Sequence, residues 1–289
     1  IKHAGLGIVV KENVAEATTL ASSITNNLCS DHGSTWICST SQLDKVDCLQ
    51  GVPLIITIGG DGTILRTARL ASTQSIPILG INMGGVGYLT ELESPDLPCF
   101  YQGTGAIEKS LSDLQKCLSA FPRIEERSML EIRICTKDDN DGHPTLFALN
   151  EVVVARNGIA RLTILDLMID DYVCGRIRSD GAVIATPTGS TAYVRSLGGP
   201  IVYPESSDLL LLLPASQSTK MNPIVLGPNS TVRLKPVSTD SMVVSVDGFM
   251  DHSLDKDELV EINAADRTTK FLRYKDAHNS FYSRLWKTE

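Results

Sequence analysis

The chain has 289 residues, 42% hydrophobic and 21% charged, with a formal net charge of −8. That is the composition of a folded globular protein of one large domain or two ordinary ones, burying roughly three quarters of its unfolded surface. The acidic balance disfavours non-specific nucleic-acid binding, which needs basic surface, and the longest apolar run, Leu209–Pro214, falls far short of the roughly 20 residues that cross a bilayer.

Leu6–Val10 is a short apolar run, and Val14, Ala17, Ala21, Ile24 and Leu28 then recur at helical spacing. A second run, Val52–Ile58, leads directly into Gly59-Gly60-Asp61-Gly62-Thr63. Ile64–Ala71 reads as a helix, Ile76–Ile81 as a strand, and Ile107, Leu111, Leu114 and Leu118 as another helix face. Strands alternating with helices predict a parallel, Rossmann-like sheet covered on both faces, here over residues 1–120.

Beyond Pro122 the texture changes. Leu130, Ile132 and Ile134 alternate with polar neighbours, and the turn-rich Asp138–Pro144 separates them from Thr145–Ala155. Strand-like runs continue at Leu162–Ile169, Ala182–Thr186, Leu209–Leu213, Thr231–Lys235, Met242–Val246 and Glu258–Ile262. Short runs punctuated by Gly, Pro, Asn and Asp predict an all-β sandwich over residues 121–269. Asp276–Trp286 reads as a helix, expected to return with residues 270–289 to the first domain. Seven scattered cysteines (29, 38, 48, 99, 117, 135 and 174) contain no C-x-x-C, which argues against a disulfide framework or a zinc site. The chain opens without a basic region followed by an apolar stretch, so no secretion signal and a cytoplasmic location are expected.

Chemistry concentrates in a few segments. In Thr57–Thr63 a buried strand ends, glycines permit tight turning and a helix begins, which makes a phosphate cradle from backbone amides. A carboxylate in an anion site makes sense if Asp61 takes a proton from an attacking hydroxyl or helps hold a metal. The competing reading is an Asp-Gly turn with Asp61 as helix N-cap. The string is neither a Walker A loop nor G-x-G-x-x-G, and Gly84-Gly85-Val86-Gly87 also misses the dinucleotide fingerprint. Those glycines read as a second strand end facing the same crevice, or as a plain loop. Ser190 is not a hydrolase nucleophile, because it lacks the G-x-S-x-G setting and the five histidines show no ordered partner pattern.

Gly59–Thr63, Asn82–Leu89, Asn150-Glu151, Pro187-Thr188-Gly189-Ser190-Thr191-Ala192-Tyr193 and Gly198-Gly199-Pro200 resemble, in order and spacing, the motifs of the NAD kinase family. The resemblance runs from Leu6 to the terminal helix. The first motif alone is shared with diacylglycerol and sphingosine-type lipid kinases and loosely with 6-phosphofructokinases; the Pro187–Tyr193 string and the Asn150-Glu151 pair discriminate. It departs from the family at Val194–Leu197, where many members carry Ser-Leu-Ser-Ala, at Ser216–Asn222, which lacks a histidine, and at Phe249, which replaces a polar residue. These departures bear on donor choice and substrate breadth.

The resemblance implies transfer of the γ-phosphate of ATP to the 2′-hydroxyl of the adenosine ribose of NAD, in a crevice between the two domains. Asp61 would be the base. Gly59, Gly60, Gly62, Thr63, Gly84, Gly85 and Gly87 would meet phosphates, and Arg66 and Arg178 are further phosphate candidates. Asn150 and Glu151 would grip ribose hydroxyls and an adenine edge, the competing reading being an edge-strand surface pair. Asp180 would meet the dinucleotide near the nicotinamide or its ribose, against an Asp-Gly hairpin turn. Thr188, Gly189, Ser190, Thr191 and Ala192 would surround adenine and phosphates, with Tyr193 as an aromatic wall, and Asp247 matches the family's late Asp-Gly. Mg²⁺ or another divalent cation would arrive with ATP, no resident metal site being expected, and the family implies a homodimer or homotetramer. A lipid or sugar kinase of the same superfamily and a silent dinucleotide-binding sensor are the alternatives.

Overall fold

In a computed structural model the described residues are 5–28, 35–45, 49, 52–93, 104–119, 122–136, 144–157, 162–217, 221–237, 242–274 and 277–286. Cys29, Cys48, Cys99 and most of the expected turn at Asp138–Pro144 lie outside them. The chain forms two compact units, Ile1–Glu126 with Thr269–Glu289, and Arg127–Thr268.

The first unit is α/β. Its strands are β1 (Gly7–Val10), β2 (Trp36–Ser39), β3 (Ile55–Gly59), β4 (Ile78–Asn82) and β5 (Leu92–Glu93), with helices α1 (Ala15–Leu28), α2 (Asp61–Ala71) and α3 (Thr104–Ser119). Every residue of β1, β3 and β4 is buried, because a parallel strand is covered on both faces and so reads as a continuous apolar run. Ala17, Leu20, Ala21 and Ile24 of α1 and Leu114 and Cys117 of α3 pack with these strands in one core, as their spacing on one helix face requires.

A strand β6 (Arg123–Cys135) leads into the second unit. There follow β7 (Leu146–Ala148), β8 (Glu151–Arg156), β9 (Thr163–Ile169), β10 (Tyr172–Ser179), β11 (Gly181–Ala185), the one-turn helix α4 (Tyr193–Ser196), β12 (Leu209–Leu212), β13 (Ile224–Leu226), β14 (Val232–Pro236), β15 (Met242–Val246) and β16 (Phe249–Leu254). β17 (Leu259–Arg273) begins in this unit and ends in the first, followed by α5 (Ala277–Leu285). One sheet of the sandwich has the order β13-β12-β11-β8-β15-β16, and the other contains β10-β9-β14-β17 with β6 and β7. In the first unit the last residues of β17 pair in parallel with β4, which places β17, β4, β3, β1 and β2 side by side.

The leucine run is explained by its two faces. Leu209 and Leu211 of β12, with Ala182 and Ile184 of β11, enter the sandwich core. Leu210 and Leu212, with Val183 and Ala185, face the other way and are covered by Val194 of α4. A strand with no wet face has no polar alternation to show. The segment that carries Thr188–Tyr193 is thus the lid over an otherwise bare apolar sheet face.

Candidate functional site

In the first unit, β3 and β4 are parallel neighbours with Gly59 opposite Asn82. Both glycine-rich turns therefore leave the carboxyl edge of the sheet side by side, where ligands of open α/β sheets bind. A Cβ at Gly59 would collide with the Thr63 hydroxyl, so only glycine lets α2 start this close to the strand. Asn82 is buried and organises the second turn: its amide nitrogen donates to the Gly85 carbonyl (3.1 Å) and to Glu93 (3.0 Å), and its oxygen accepts the Gly84 amide (3.3 Å). Gly84, Gly85 and Gly87 all have positive φ, a conformation that costs a side-chain-bearing residue energy. The plain-loop reading does not explain that ordering.

Asp61 does not cap its helix. Gly60 occupies the N-cap position, with no side-chain cap bond, and Asp61 is the first helical residue. Its carboxylate reaches instead to the second turn, where Oδ2 accepts the Tyr88 amide and Oδ1 the Leu89 amide, both at 2.9 Å. The amides of Asp61 and Gly62, in the first helical turn, have no intrahelical acceptor and lie at the positive end of the dipole. An acid and an anion cradle thus share one helix terminus. Arg66 lies on the exposed face of α2, and its charge lowers the pKa of Glu12, behind the hydrogen bonding of Ser41 to that carboxylate. Lys11, outside every motif, is an exposed lysine at the carboxyl end of β1 whose amide bonds the Ile58 carbonyl (2.9 Å) and whose Cβ stands against Gly59. A cation directly after a buried strand was the available signal.

In the second unit, Glu151 opens β8 directly after Asn150; β8 lies in the interior of its sheet, and both residues are buried. That removes the edge-strand reading. Their backbone is clasped by Asp247: Oδ2 accepts the Leu149 amide (3.0 Å), and Oδ1 accepts those of Asn150 (2.7 Å) and Glu151 (3.2 Å). Asp247 and Gly248 both have positive φ and join β15 to β16 as a two-residue turn, the usual hairpin geometry for Asp-Gly. The Thr186 hydroxyl donates to the Leu149 carbonyl (2.6 Å), and its oxygen accepts the Gly189 amide (3.3 Å). A Cβ on Gly189 would run into the carbonyl of Asn150. The 187–193 segment and the Asn150-Glu151 pair are consequently one structure, joined where Gly189 meets the Asn150 backbone.

The hydroxyls of Thr188–Thr191 are spent locally. Thr188 accepts from Arg127 (3.3 Å), and Thr191 donates to the Thr188 carbonyl (3.2 Å). Buried Ser190 donates to the Pro187 carbonyl (2.6 Å) and accepts the Val202 amide (3.0 Å), so it builds the turn. Ala192 separates this turn from α4, and the Tyr193 ring is exposed. Glu151 is the outstanding group. Its Oε2 is buried and accepts no hydrogen bond. Burial, then the neighbouring charge of Asp247, push its pKa up from 4.5 to about 7, against the opposing effect of the Tyr193 amide. A carboxyl poised near neutrality, with an orphan oxygen, is suited to accept ribose hydroxyl protons in hydrogen bonds.

Asp180 is not in a hairpin turn, because β10 and β11 belong to different sheets of the sandwich and it is the single residue linking them. Arg178 and Asp180 are both exposed. Gly181 pairs with Ala155 and Ala185 with Glu151, so Asp180 stands at the opposite end of the β8–β11 pair, about 17 Å along the strand from Glu151 at about 3.4 Å per residue.

Residues 149–274 match the ATP-NAD kinase C-terminal domain and residues 39–100 the ATP-NAD kinase N-terminal domain. An NAD kinase of Dehalococcoides mccartyi is 33% identical over 281 residues, covering 97% of this chain and 94% of that protein. The chain belongs to the NAD kinase family. Its fold is also that of two solved structures. Yeast NADH kinase complexed with NADH has a TM-score of 0.77 at 21% identity, covering 99% of this chain and 87% of that one. An NAD kinase from Archaeoglobus fulgidus in complex with ATP has a TM-score of 0.72 at 23% identity, covering 97% and 98%. As a member of this family the chain is a kinase, a phosphotransferase acting on an alcohol group. Among the described residues no helix is long and apolar enough to cross a membrane, and Cys38, Cys117, Cys135 and Cys174 are free thiols.

Proposed function

We propose that the chain phosphorylates NAD at the 2′-hydroxyl of its adenosine ribose, with ATP as donor, to give NADP. The observation that carries this is the Asp61 carboxylate, held by the Tyr88 and Leu89 amides at the mouth of the phosphate cradle, not bound to its own helix. Each oxygen accepts one amide and keeps a second lone pair for a substrate hydroxyl. Phosphoryl transfer has a loose transition state, so the chain contributes mainly position and charge. The α2 amides and the Gly59–Thr63 and Gly84–Gly87 turns cradle phosphates, with Lys11 and Arg66 nearby. Asp61 receives the hydroxyl proton late, as the new O–P bond forms and the ADP oxygen leaves. Mg²⁺ or another divalent cation enters bound to ATP. Among the described residues no group of three His, Cys, Asp or Glu side chains gathers to hold a metal.

In this proposal Asn150 and Glu151 bind the adenosine half of NAD, with Thr188–Tyr193 around the adenine, Asp180 toward the nicotinamide end and Arg178 toward a phosphate. Asp247 acts through the Leu149–Glu151 backbone. Free cysteines support a reducing cytoplasm, and the sheet edges support assembly into a homodimer or homotetramer. A turnover assay pairing NAD or NADH with ATP or polyphosphate, with and without Mg²⁺, is expected to yield NADP(H); no product in any pairing refutes the activity. Asp61→Asn is expected to lower kcat by about 10²-fold or more while NAD still binds, and near-normal turnover would remove Asp61 as the base.

A further inference from the structure

The cage around Asp61 has a second layer. The Tyr88 carbonyl accepts Nη1 of Arg284 from α5 at 2.7 Å, and the Leu89 carbonyl accepts Nη1 of Arg273 from β17 at 2.9 Å. The Tyr88 carbonyl and the Leu89 amide are the two ends of one peptide group. A buried guanidinium therefore pulls on one end of an amide whose other end donates to Oδ1 of Asp61. Hydrogen bonds in such a chain polarise and strengthen one another, and the peptide plane is fixed from both sides.

The two arginines are not equivalent. Buried Arg273 is anchored by carboxylates: Nη2 and Nε reach Glu125 at 3.1 and 3.2 Å, and Nη1 reaches Glu91 at 3.4 Å. That is a structural ion cluster. Arg284 makes its hydrogen bond to the Tyr88 carbonyl. Its pKa is lowered by burial and then by the charge of Arg273, and raised by Glu91, Glu93 and Asp61. A cation placed there contributes little to stability on its own account. Its hydrogen bond falls on the peptide that holds Asp61.

We propose that Arg284 is a positioning residue for phosphoryl transfer, acting through the Tyr88–Leu89 peptide to fix the plane of the Asp61 carboxylate. The inference rests on Asp61 as the base. By this geometry the terminal helix is part of the catalytic apparatus without touching a substrate.

The test measures kcat, KM for NAD and ATP, and thermal unfolding for Arg284→Ala, Arg284→Lys, Asp61→Asn and the Asp61→Asn/Arg284→Ala double variant. Arg284→Ala is expected to lower kcat by about 10²-fold, the scale of a small misplacement of a reacting group, with each KM within about threefold, since substrate binding is not its role. Arg284→Lys, which can still donate to the Tyr88 carbonyl, is expected to recover at least tenfold of that loss. In the Asp61→Asn background, removing Arg284 is expected to cost nothing further. An unchanged kcat in Arg284→Ala, or the same loss with and without Asp61, overturns the proposal. Near-normal turnover of Asp61→Asn alone refutes the base assignment beneath it, a comparison that does not involve Arg284. Should Arg284→Ala fail to fold, Arg284→Met carries both comparisons: it keeps a long side chain in the site but has no N–H for the Tyr88 carbonyl, and a kcat equal to the parent's would again overturn the proposal.

Discussion

Glu151→Gln replaces a carboxyl that the second unit keeps partly protonated at neutral pH with an uncharged side chain of the same shape. In the folded chain that carboxyl titrates at about 7, against 4.5 ordinarily. Below pH 4.5 it is protonated in both folded and unfolded states and makes no difference. Between pH 4.5 and 7 the unfolded chain releases the proton and the folded chain keeps it, so stability falls as pH rises, then levels above 7. At 1.36 kcal/mol per pH unit the full penalty is about 3 kcal/mol. Most of it develops between pH 5 and pH 8. Urea unfolding of parent and variant at those two pH values reads this directly. The stability difference, variant minus parent, is expected to be roughly 2–3 kcal/mol larger at pH 8 than at pH 5. The same difference at both would show that Glu151 is not held protonated, and the argument from its burial and orphan oxygen would fall with it.

Asp247→Asn removes both the second cause of that high pKa and the charged acceptor for the Leu149–Glu151 amides. Carboxyl-carbon NMR is expected to show Glu151 titrating lower, while stability falls by about 1.5–3 kcal/mol, as for hydrogen bonds to a charged group. An unmoved titration would count against the Asp247 charge as its cause. Gly189→Ala forces a methyl group against the Asn150 carbonyl and is expected to cost about 1–3 kcal/mol in thermal or urea unfolding and to raise KM for NAD; parental stability and KM would break the link between those two motifs.

The fold class was legible because its signals are local. The all-buried strands β1, β3 and β4 and the stripe of α1 announce a covered parallel sheet, and alternation with turns announces the sandwich. What escaped lacked contrast. β2 is only four residues long with a single buried side chain, and β10 buries only Ile177 and Ser179. β17 continues eleven residues past the predicted end at Ile262, through Ala264–Lys270, where no hydrophobic period exists. At the candidate site, the phosphate turn and the Asn150-Glu151 pair were readable as strings. Asn82, Arg273 and Arg284 as supports were not, because each acts on backbone groups, and backbone groups leave no letter in a sequence. The opposite placement of Asp180 and Glu151 along β8 and β11 is a matter of register, which strings do not encode.

The two layers around Asp61 differ greatly in chain separation. The first closes over 27 and 28 residues, and the second over 184 and 196. Loop-closure entropy grows only as a logarithm, so the longer closures cost roughly 2 kcal/mol more. Synthesis order separates them more sharply. A nascent chain makes the phosphate turn and its acid early, folds through the whole sandwich, and receives Arg273 and Arg284 only afterwards. A ribosome stalled within the second unit would display the glycine turns and Asp61 without the outer shell. With Arg284 as a positioning residue, such a fragment would carry the Gly59–Thr63 string while its acid lay loose, which gives incomplete translation products little catalytic competence.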